Sequence, residues 1–509
     1  MQSEFPDTDG EPRSRRRRET IWLAAILVLA AALRLWGLGV RSLWLDEIMT
    51  VQKASASFRD MMRQITQHDA HPPFFQIVEW LWLRMGRGDA FARMPAVIAG
   101  VAGVWLSFLL ARRLLGRKAA VAAGLLMALS YFHIFYSQEA RLHTLIIALF
   151  LAQTYLLLRI ADRRGKAGWG LWAAYGLVGL ASLYTYALCA LTVGSLALLY
   201  LWLTWKRGRQ IKEWLIVHAL IALLFLPWVP VMRERTAILE ASVREHHDAV
   251  GRPSASEISA GIATWGAGAT DWQKPSPMWP WLGLGLVVAA AAVLLDRRTR
   301  KPAKILGTLF ILPLAGYLLL PMPRVHAYDT KHLAFLQPIL IIALSGARVP
   351  VRRESSDEGR LPPVFYVVFG LGALNIYGLS DYYRSDFQKE DWRTLCAEVS
   401  ARAASKDVIL FNPDYAGFAF DYYAKIPPEI DRSPTSDLLN PKVEIAPGYR
   451  RIWLIEDRSA VARPRPEIPA RLAQLGWTPV ESRLFRDSVG ELRWTLFAPA
   501  SRSGKGPPP

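Results

Sequence analysis

Residues 20–47 read TIWLAAILVLAAALRLWGLGVRSLWLDE. The first part, 20–38, is almost wholly apolar, with Arg34 as its single charge. A hydrocarbon core about 30 Å thick needs about 20 such residues in a helix. Arg13 and Arg15 to Arg18 precede the run, as in a secretory signal. No small-residue cleavage site follows it, so it reads as a membrane anchor that delivers Asp46 and Glu47 just beyond one face of the bilayer.

Ten further runs of that kind follow, at 95–113, 119–136, 142–160, 169–186, 188–205, 213–231, 279–295, 303–320, 331–348 and 362–380. The composition agrees. Of 509 residues, 52% are hydrophobic and 20% charged, and the mean hydropathy is +0.17. Soluble chains of this length carry about 25% charged residues. Two cysteines, Cys189 and Cys396, are too few for a disulfide scaffold or a cysteine zinc site. A soluble enzyme, collagen and a disordered chain are excluded, and the fold class is an α-helical polytopic membrane protein.

Loop charges orient it. Each segment on one side carries at least four cations, among them Arg112, Arg113, Arg117 and Lys118, or Arg297, Arg298, Arg300, Lys301 and Lys304. Short loops on the other side carry almost none. That asymmetry places the N-terminus, 1–19, in the cytoplasm and accounts for most of the +18 net charge. Nucleic-acid binding is a poor explanation for it.

The spans with their loops form one transmembrane domain, 20–380. The stretch 71–85 is too short to span and contains Glu79, so it reads as an interfacial helix. Residues 39–94 are then one outer loop with juxtamembrane helices near 48–67 and 74–86, and 232–278 is a second. The tail is a different material. Strands are expected at 408–411, 451–455, 479–486 and 492–498, with a helix at 466–476. They make a small extracytoplasmic α/β domain, 381–498, that covers a membrane cavity or recognises an acceptor, followed by a disordered tail, 499–509.

Asp46 and Glu47 are suited to general-base chemistry at the outer interface, since a carboxylate needs only position to be basic at neutral pH. Neighbouring helical side chains diverge by about 100°, so one is assigned to catalysis and the other to support. A set of cations lies at the same face: Arg34, Arg141, Arg324, Lys331 and His332. Each alone also fits snorkelling to headgroups. Together, beside carboxylates, they suit an anionic ligand such as a phosphate. His71, Glu139, Tyr184 and Tyr186 are candidates for sugar or acceptor contacts. The aromatics among them also fit an interfacial belt.

Several motifs in this order resemble one family: Ser42-Leu43-Trp44-Leu45-Asp46-Glu47, His71-Pro72-Pro73, Phe91-Ala92-Arg93-Met94-Pro95 and Ser137-Gln138-Glu139-Ala140-Arg141. They are similar to the GT-C membrane glycosyltransferases, in particular bacterial family 39, relatives of the protein O-mannosyltransferases and the lipid A aminoarabinose transferase. Lys331-His332 stands where those proteins carry Arg-Tyr. The resemblance implies transfer of a sugar, with inversion, from a polyprenyl-phosphate monosaccharide to an acceptor hydroxyl outside the membrane. It implies Asp46 as base, Glu47 as support and the cations on the lipid phosphate. No cofactor or catalytic metal is implied, although His71 and Glu139 are able to ligate one. The implied partners are the lipid-linked donor, membrane lipids and a glycan, lipid or protein acceptor, in a bacterial inner membrane. A transporter or flippase would also carry intramembrane charges, but the paired repeats of transporters are not visible here. A receptor with an outer α/β domain would leave Asp46 and Glu47 without a purpose.

Overall fold

The computed structural model describes residues 13–69, 71–163, 165–205, 210–245, 253–268, 277–295, 300–319, 329–346, 363–384, 389–435, 438, 445, 448–458, 464–486 and 491–500. The chain forms two compact units. One is Met1–Leu38 with Lys53–Tyr382, and the other is Gly39–Gln52 with Tyr383–Pro509.

The helices begin with α1 (Arg13–Leu35), α2 (Leu45–Ser55), α3 (Phe58–His68), α4 (Phe74–Trp82), α5 (Asp89–Leu115), α6 (Arg117–Leu129), α7 (Tyr131–Ser137) and α8 (His143–Asp162). They continue with α9 (Trp169–Thr185), α10 (Cys189–Thr204), α11 (Ile211–Phe225), α12 (Val229–Glu245), α13 (Ala255–Ala267), α14 (Trp279–Leu295) and α15 (Arg300–Leu319). A 3-10 turn, Thr330–Leu336, leads into α16 (Gln337–Ser345), and α17 (Pro363–Tyr382) follows. Among the described residues, each apolar run read from the sequence contains an α-helix. By length and composition, Asp89–Leu115, His143–Asp162, Ile211–Ile238 and Lys301–Leu319 each suffice to cross a bilayer, and α6 with α7 does so as a bent pair. This is a multi-pass membrane protein.

Helix α16, QPILIIALS, is buried at every residue, as a helix that is apolar all round must be. Helix α11 is the opposite case. Leu215, Leu220, Leu223 and Leu224 are exposed, and in a bilayer that face meets lipid. Gly116 alone joins α5 to α6. Its φ of +92° is one that glycine adopts without strain, and its N–H bonds the carbonyls of Ala111 and Arg112.

Two regions differ from the expectation. The run 119–136 is not one straight helix, because it bends by 56° at Ser130. The freed backbone groups are met by distant side chains, as hydrocarbon requires. Asn375 Oδ1 accepts from Tyr131 N at 2.8 Å, and its Nδ2 donates to Gly266 O. Gln337 Nε2 donates to Ser130 Oγ at 2.7 Å and to Trp265 O. Gly268 approaches so closely that a Cβ there would lie 2.8 Å from that of Tyr131. The outer loop 39–94 is also not one piece. It carries three helices, α2 to α4, with Ser57 capping α3 through Asp60 N, and its first part, 39–52, belongs to the other unit.

That second unit contains α18 (Trp392–Arg402), β1 (Asp407–Asn412), α19 (Ala416–Tyr423), β2 (Asp431–Pro434), β3 (Arg451–Asp457), α20 (Glu467–Gln474), β4 (Trp477–Arg486) and β5 (Glu491–Pro499). The sheet order is β2-β1-β3-β5-β4. The first three strands are parallel, and β5 runs antiparallel to both neighbours. Val408, Leu410, Ile452 and Leu454 pack against Ile468 and Leu472 of α20. Trp453 and Trp494 meet edge to face at 5.2 Å, with the Arg402 guanidinium over both rings. The helices α18 and α19 and the short exposed strand β2, whose sequence DRSP has no apolar period, were not expected from the sequence.

Candidate active site

In the sheet-containing unit, Asp46 and Glu47 occupy the first turn of α2, where the helix dipole favours negative charge. They part as adjacent helical side chains do. Glu47 is fully buried and accepts a hydrogen bond from Trp44 N at 3.3 Å, capping its own helix, while Asp46 is only partly buried. Glu390 lies beside them. Its Oε2 accepts from Leu45 N at 3.0 Å and from Trp392 Nε1 at 2.7 Å. Burial, reinforced by the charges of Asp457 and Asp46 against the two hydrogen bonds, pushes the Glu390 carboxyl up to about 8. Burial also raises the Tyr415 phenol, again helped by Asp457, Glu390 and Asp46. These four groups therefore act on one another. A neutral Glu390 at pH 7 leaves Asp46 free of one neighbouring negative charge.

The helical unit gathers the cations. Asp69, just before His71, ion-pairs with Lys53 at 2.7 Å and accepts from His71 N at 3.1 Å. Burial acts to raise its carboxyl, but the Lys53 ammonium, the His71 ring and the hydrogen bonds from both residues hold it at about 2. The His71 ring lies 5.4 Å from that of Tyr186. Arg141 sits in the turn between α7 and α8, where Arg141 N bonds Glu139 O. Gln138 pins that turn by donating to the carbonyls of Arg34 and Trp36 and accepting from the Tyr382 hydroxyl. Lys331 Nζ pairs with Asp329 at 2.8 Å. Burial works against the Asp329 carboxylate, and Lys331 and His332 overcome it and lower its pKa.

These segments converge. Arg141, Lys331, His71 and His332 all act electrostatically on His143, and Arg141 and Asp329 act on Tyr186. Glu139 is buried, its Oε2 3.7 Å from His143 Nδ1. The cluster is thus drawn from the loop before α4, the α7–α8 turn and the entry to α16. Cations from three segments around aromatic rings can hold a phosphate and stack a sugar.

Two candidates take other roles. Arg34, expected at a phosphate, is fully buried and spends all five of its N–H donors inside the protein. They reach Ser137 Oγ, His133 Nδ1 and the carbonyls of Ala30, Met127 and Ala128. It caps the broken end of α6, where the carbonyls have no helical partner and the dipole favours a cation. Tyr184 is not with Tyr186. Its hydroxyl donates to Leu224 O, and its ring packs with Phe225 and Trp228 in an apolar cluster with Met61 and Ile65. Arg324 lies outside the described residues. Among the described residues, no group of three or more His, Cys, Asp or Glu side chains could hold a metal ion. Sequence reasoning missed Asp329, Glu390, Asp457 and Tyr415. Only Asp329, two residues before Lys331, carried a local signal.

Residues 70–230 match the family model described as dolichyl-phosphate-mannose-protein mannosyltransferase. No curated protein matches the chain in sequence. In structure the chain is similar to ArnT from Cupriavidus metallidurans bound to undecaprenyl phosphate, with a TM-score of 0.53, 14% identity, and coverage of 96% of this chain and 100% of that one. The apo state of that protein gives the same TM-score at 13% identity, covering 96% and 99%. The oligosaccharyltransferase of Archaeoglobus fulgidus in its apo form is similar with a TM-score of 0.51 and 12% identity, covering 88% of this chain and 70% of that one. What is shared at these identities is the fold, which is the GT-C fold of membrane glycosyltransferases.

Proposed function

We propose that this protein is a membrane glycosyltransferase that moves a sugar from a polyprenyl-phosphate monosaccharide to an acceptor hydroxyl, with inversion. The observation that carries the reading is the convergence of Arg141, Lys331, His332 and His71 around His143 and Tyr186. ArnT, of the same fold, binds undecaprenyl phosphate. The acceptor oxygen attacks the anomeric carbon, the bond from that carbon to the phosphate oxygen breaks, and the hydroxyl proton passes to Asp46. The departing lipid phosphate gains charge on its oxygens. Fixed cations stabilise that charge without a separate acid. Glu47, buried and bonded to Trp44 N, supports the turn that presents Asp46. The protein is assigned to a bacterial plasma membrane, with its N-terminus inside and the sheet domain outside, following the loop charges. The acceptor is a glycan, a lipid or a protein.

The test places purified full-length protein in nanodiscs with a panel of synthetic undecaprenyl-phosphate monosaccharides and an envelope extract as acceptor source. Release of undecaprenyl phosphate together with a new glycoside is the expected result. Movement of the intact donor across a vesicle bilayer without cleavage would identify a flippase and overturn the assignment.

A further inference from the structure

Gly39–Gln52 folds with Tyr383–Pro509, although the whole helical unit intervenes in sequence. Between α1 and α2 this segment has no helix or strand of its own. Its backbone groups must find partners elsewhere. The partners come from Lys389–Tyr423. The Arg393 guanidinium donates to the carbonyls of Val40 at 3.0 Å and of Gly39 and Arg41 at 3.3 Å. Ser42 Oγ donates to Glu390 O at 2.5 Å, and Leu43 N to the Tyr423 hydroxyl at 2.7 Å. The Lys389 ammonium lies 5.3 Å from the Trp44 ring, and Leu45 N donates to the Glu390 carboxyl. Each residue from Gly39 to Leu45 is thereby held, and Asp46 is the next one along. Further on, Gln52 Nε2 donates to Phe418 O at 2.9 Å.

We infer that Glu390 and Arg393 are positioning residues for Asp46, which makes the C-terminal sheet domain a working part of the transfer reaction. The inference rests on the reading of Asp46 as the base. A base acts only when its oxygen is placed to within about an ångström, and a misplacement of that size costs about 10²-fold in rate. The connection from α1 to α2 contains Gly39 and has no ladder of its own, so it does not supply that precision alone. Glu390 contributes twice, through its backbone carbonyl and its carboxyl, and its largely neutral state keeps a negative charge away from Asp46.

The test uses full-length protein in nanodiscs and whichever synthetic undecaprenyl-phosphate monosaccharide turns over. It reads kcat and donor KM, together with amide hydrogen exchange over residues 40–48. Glu390→Ala and Arg393→Ala should each lower kcat at least about tenfold, leave donor KM unchanged and speed exchange over 40–48. Glu390→Gln should recover most of the loss, because its amide oxygen still accepts from Leu45 N. Arg402→Ala, which disturbs the same domain at Glu481 and the two tryptophans, should change neither kcat nor exchange over 40–48. Glu390→Asp keeps the carboxyl but shortens its reach, and repeats the test should the alanine variant fail to insert. Wild-type kcat in folded Glu390→Ala and Arg393→Ala, beside an inactive Asp46→Asn, would overturn the positioning role and leave the base in place. Full turnover by Asp46→Asn would overturn the base itself, and this inference with it.

Discussion

The acidic and the basic halves of the proposed chemistry are built in opposite ways. Two of the cations of the helical unit come with counter-charges close by in sequence: Lys331 pairs with Asp329, and Asp69, beside Lys53, acts on His71 two residues on. The carboxylates of the other unit depend on distant chain. Leu45 N reaches Glu390, Leu43 N reaches Tyr423, and the charges felt by Glu390 include Asp457. A locally paired cation keeps its setting when a remote residue changes. A carboxylate placed by remote hydrogen bonds does not. The difference predicts that phosphate contacts fail one residue at a time, whereas the base fails through its frame.

The largest effect is expected at Asp46. Asp46→Asn keeps the shape and removes basicity, so single-turnover release of undecaprenyl phosphate should fall about 10²–10⁴-fold with donor affinity unchanged. Glu47→Gln should cost much less, because the amide oxygen can still accept from Trp44 N. Equal losses for the two would erase the division of labour between a partly exposed and a buried carboxylate.

On the basic side the effects should be smaller and graded. Arg141→Ala should raise donor KM and lower kcat, together by about 10²-fold, since charge on the phosphate oxygens grows toward the transition state. Arg141→Lys should recover only part, because a point charge does not replace a planar fork. Lys331→Ala should cost less than Arg141→Ala, since Asp329 already offsets the Lys331 charge. Steady-state kinetics of the three variants give the ranking, and a larger loss at Lys331 would reverse it.

Arg34 sharpens the contrast from a third direction. Its bonds also reach distant chain, but they serve a helix break. Arg34→Met should destabilise the fold by about 1–3 kcal/mol for each carbonyl left without a donor. Undecaprenyl phosphate binding by the folded fraction should not change. Thermal unfolding and lipid titration separate the two, and weaker binding at full stability would return Arg34 to the donor site.

The same contrast explains what the sequence allowed one to read. Apolar runs are long and local, so the helices they form were visible before the fold. Asp46 and Glu47 stood out because they follow a span, and Arg141 and Lys331 because they are cations at span ends. Arg34 satisfied the same criterion, but sequence position does not say which way a guanidinium points. The bend at Ser130 was invisible because its partners, Asn375 and Gln337, are each more than 200 residues away. Glu390 was invisible for the same reason. Nothing near it in sequence announces that Leu45 will sit on its carboxyl. Tyr184 and Tyr186 are two residues apart at a helix end, and only the packing of Phe225 and Trp228 on one ring and His71 near the other separates their roles.

The smallest effect is one of pH, and the two units should show it with opposite signs. The Glu390 carboxyl is raised from an ordinary 4.5 to about 8, so the folded state binds its proton more tightly than the unfolded state does. Its contribution to stability is complete below about 4.5 and is lost as pH rises through about 8. Ionisation there sets a third negative charge beside Asp46 and Asp457, with the Tyr415 phenol close by. Asp69 is lowered from 3.8 to about 2, so its contribution is present above 3.8 and disappears as pH falls through about 2. Hydrogen exchange corrected for its intrinsic pH dependence should therefore show 40–48 loosening between pH 6 and 9, while 53–69 stays protected over that range and loosens only in strong acid. Glu390→Gln, which cannot ionise, should flatten the alkaline response of 40–48 and leave 53–69 as it was. A wild-type segment 40–48 that keeps constant protection across pH 6–9 would mean that Glu390 does not titrate there, and the neutral acid beside Asp46 would have to be given up.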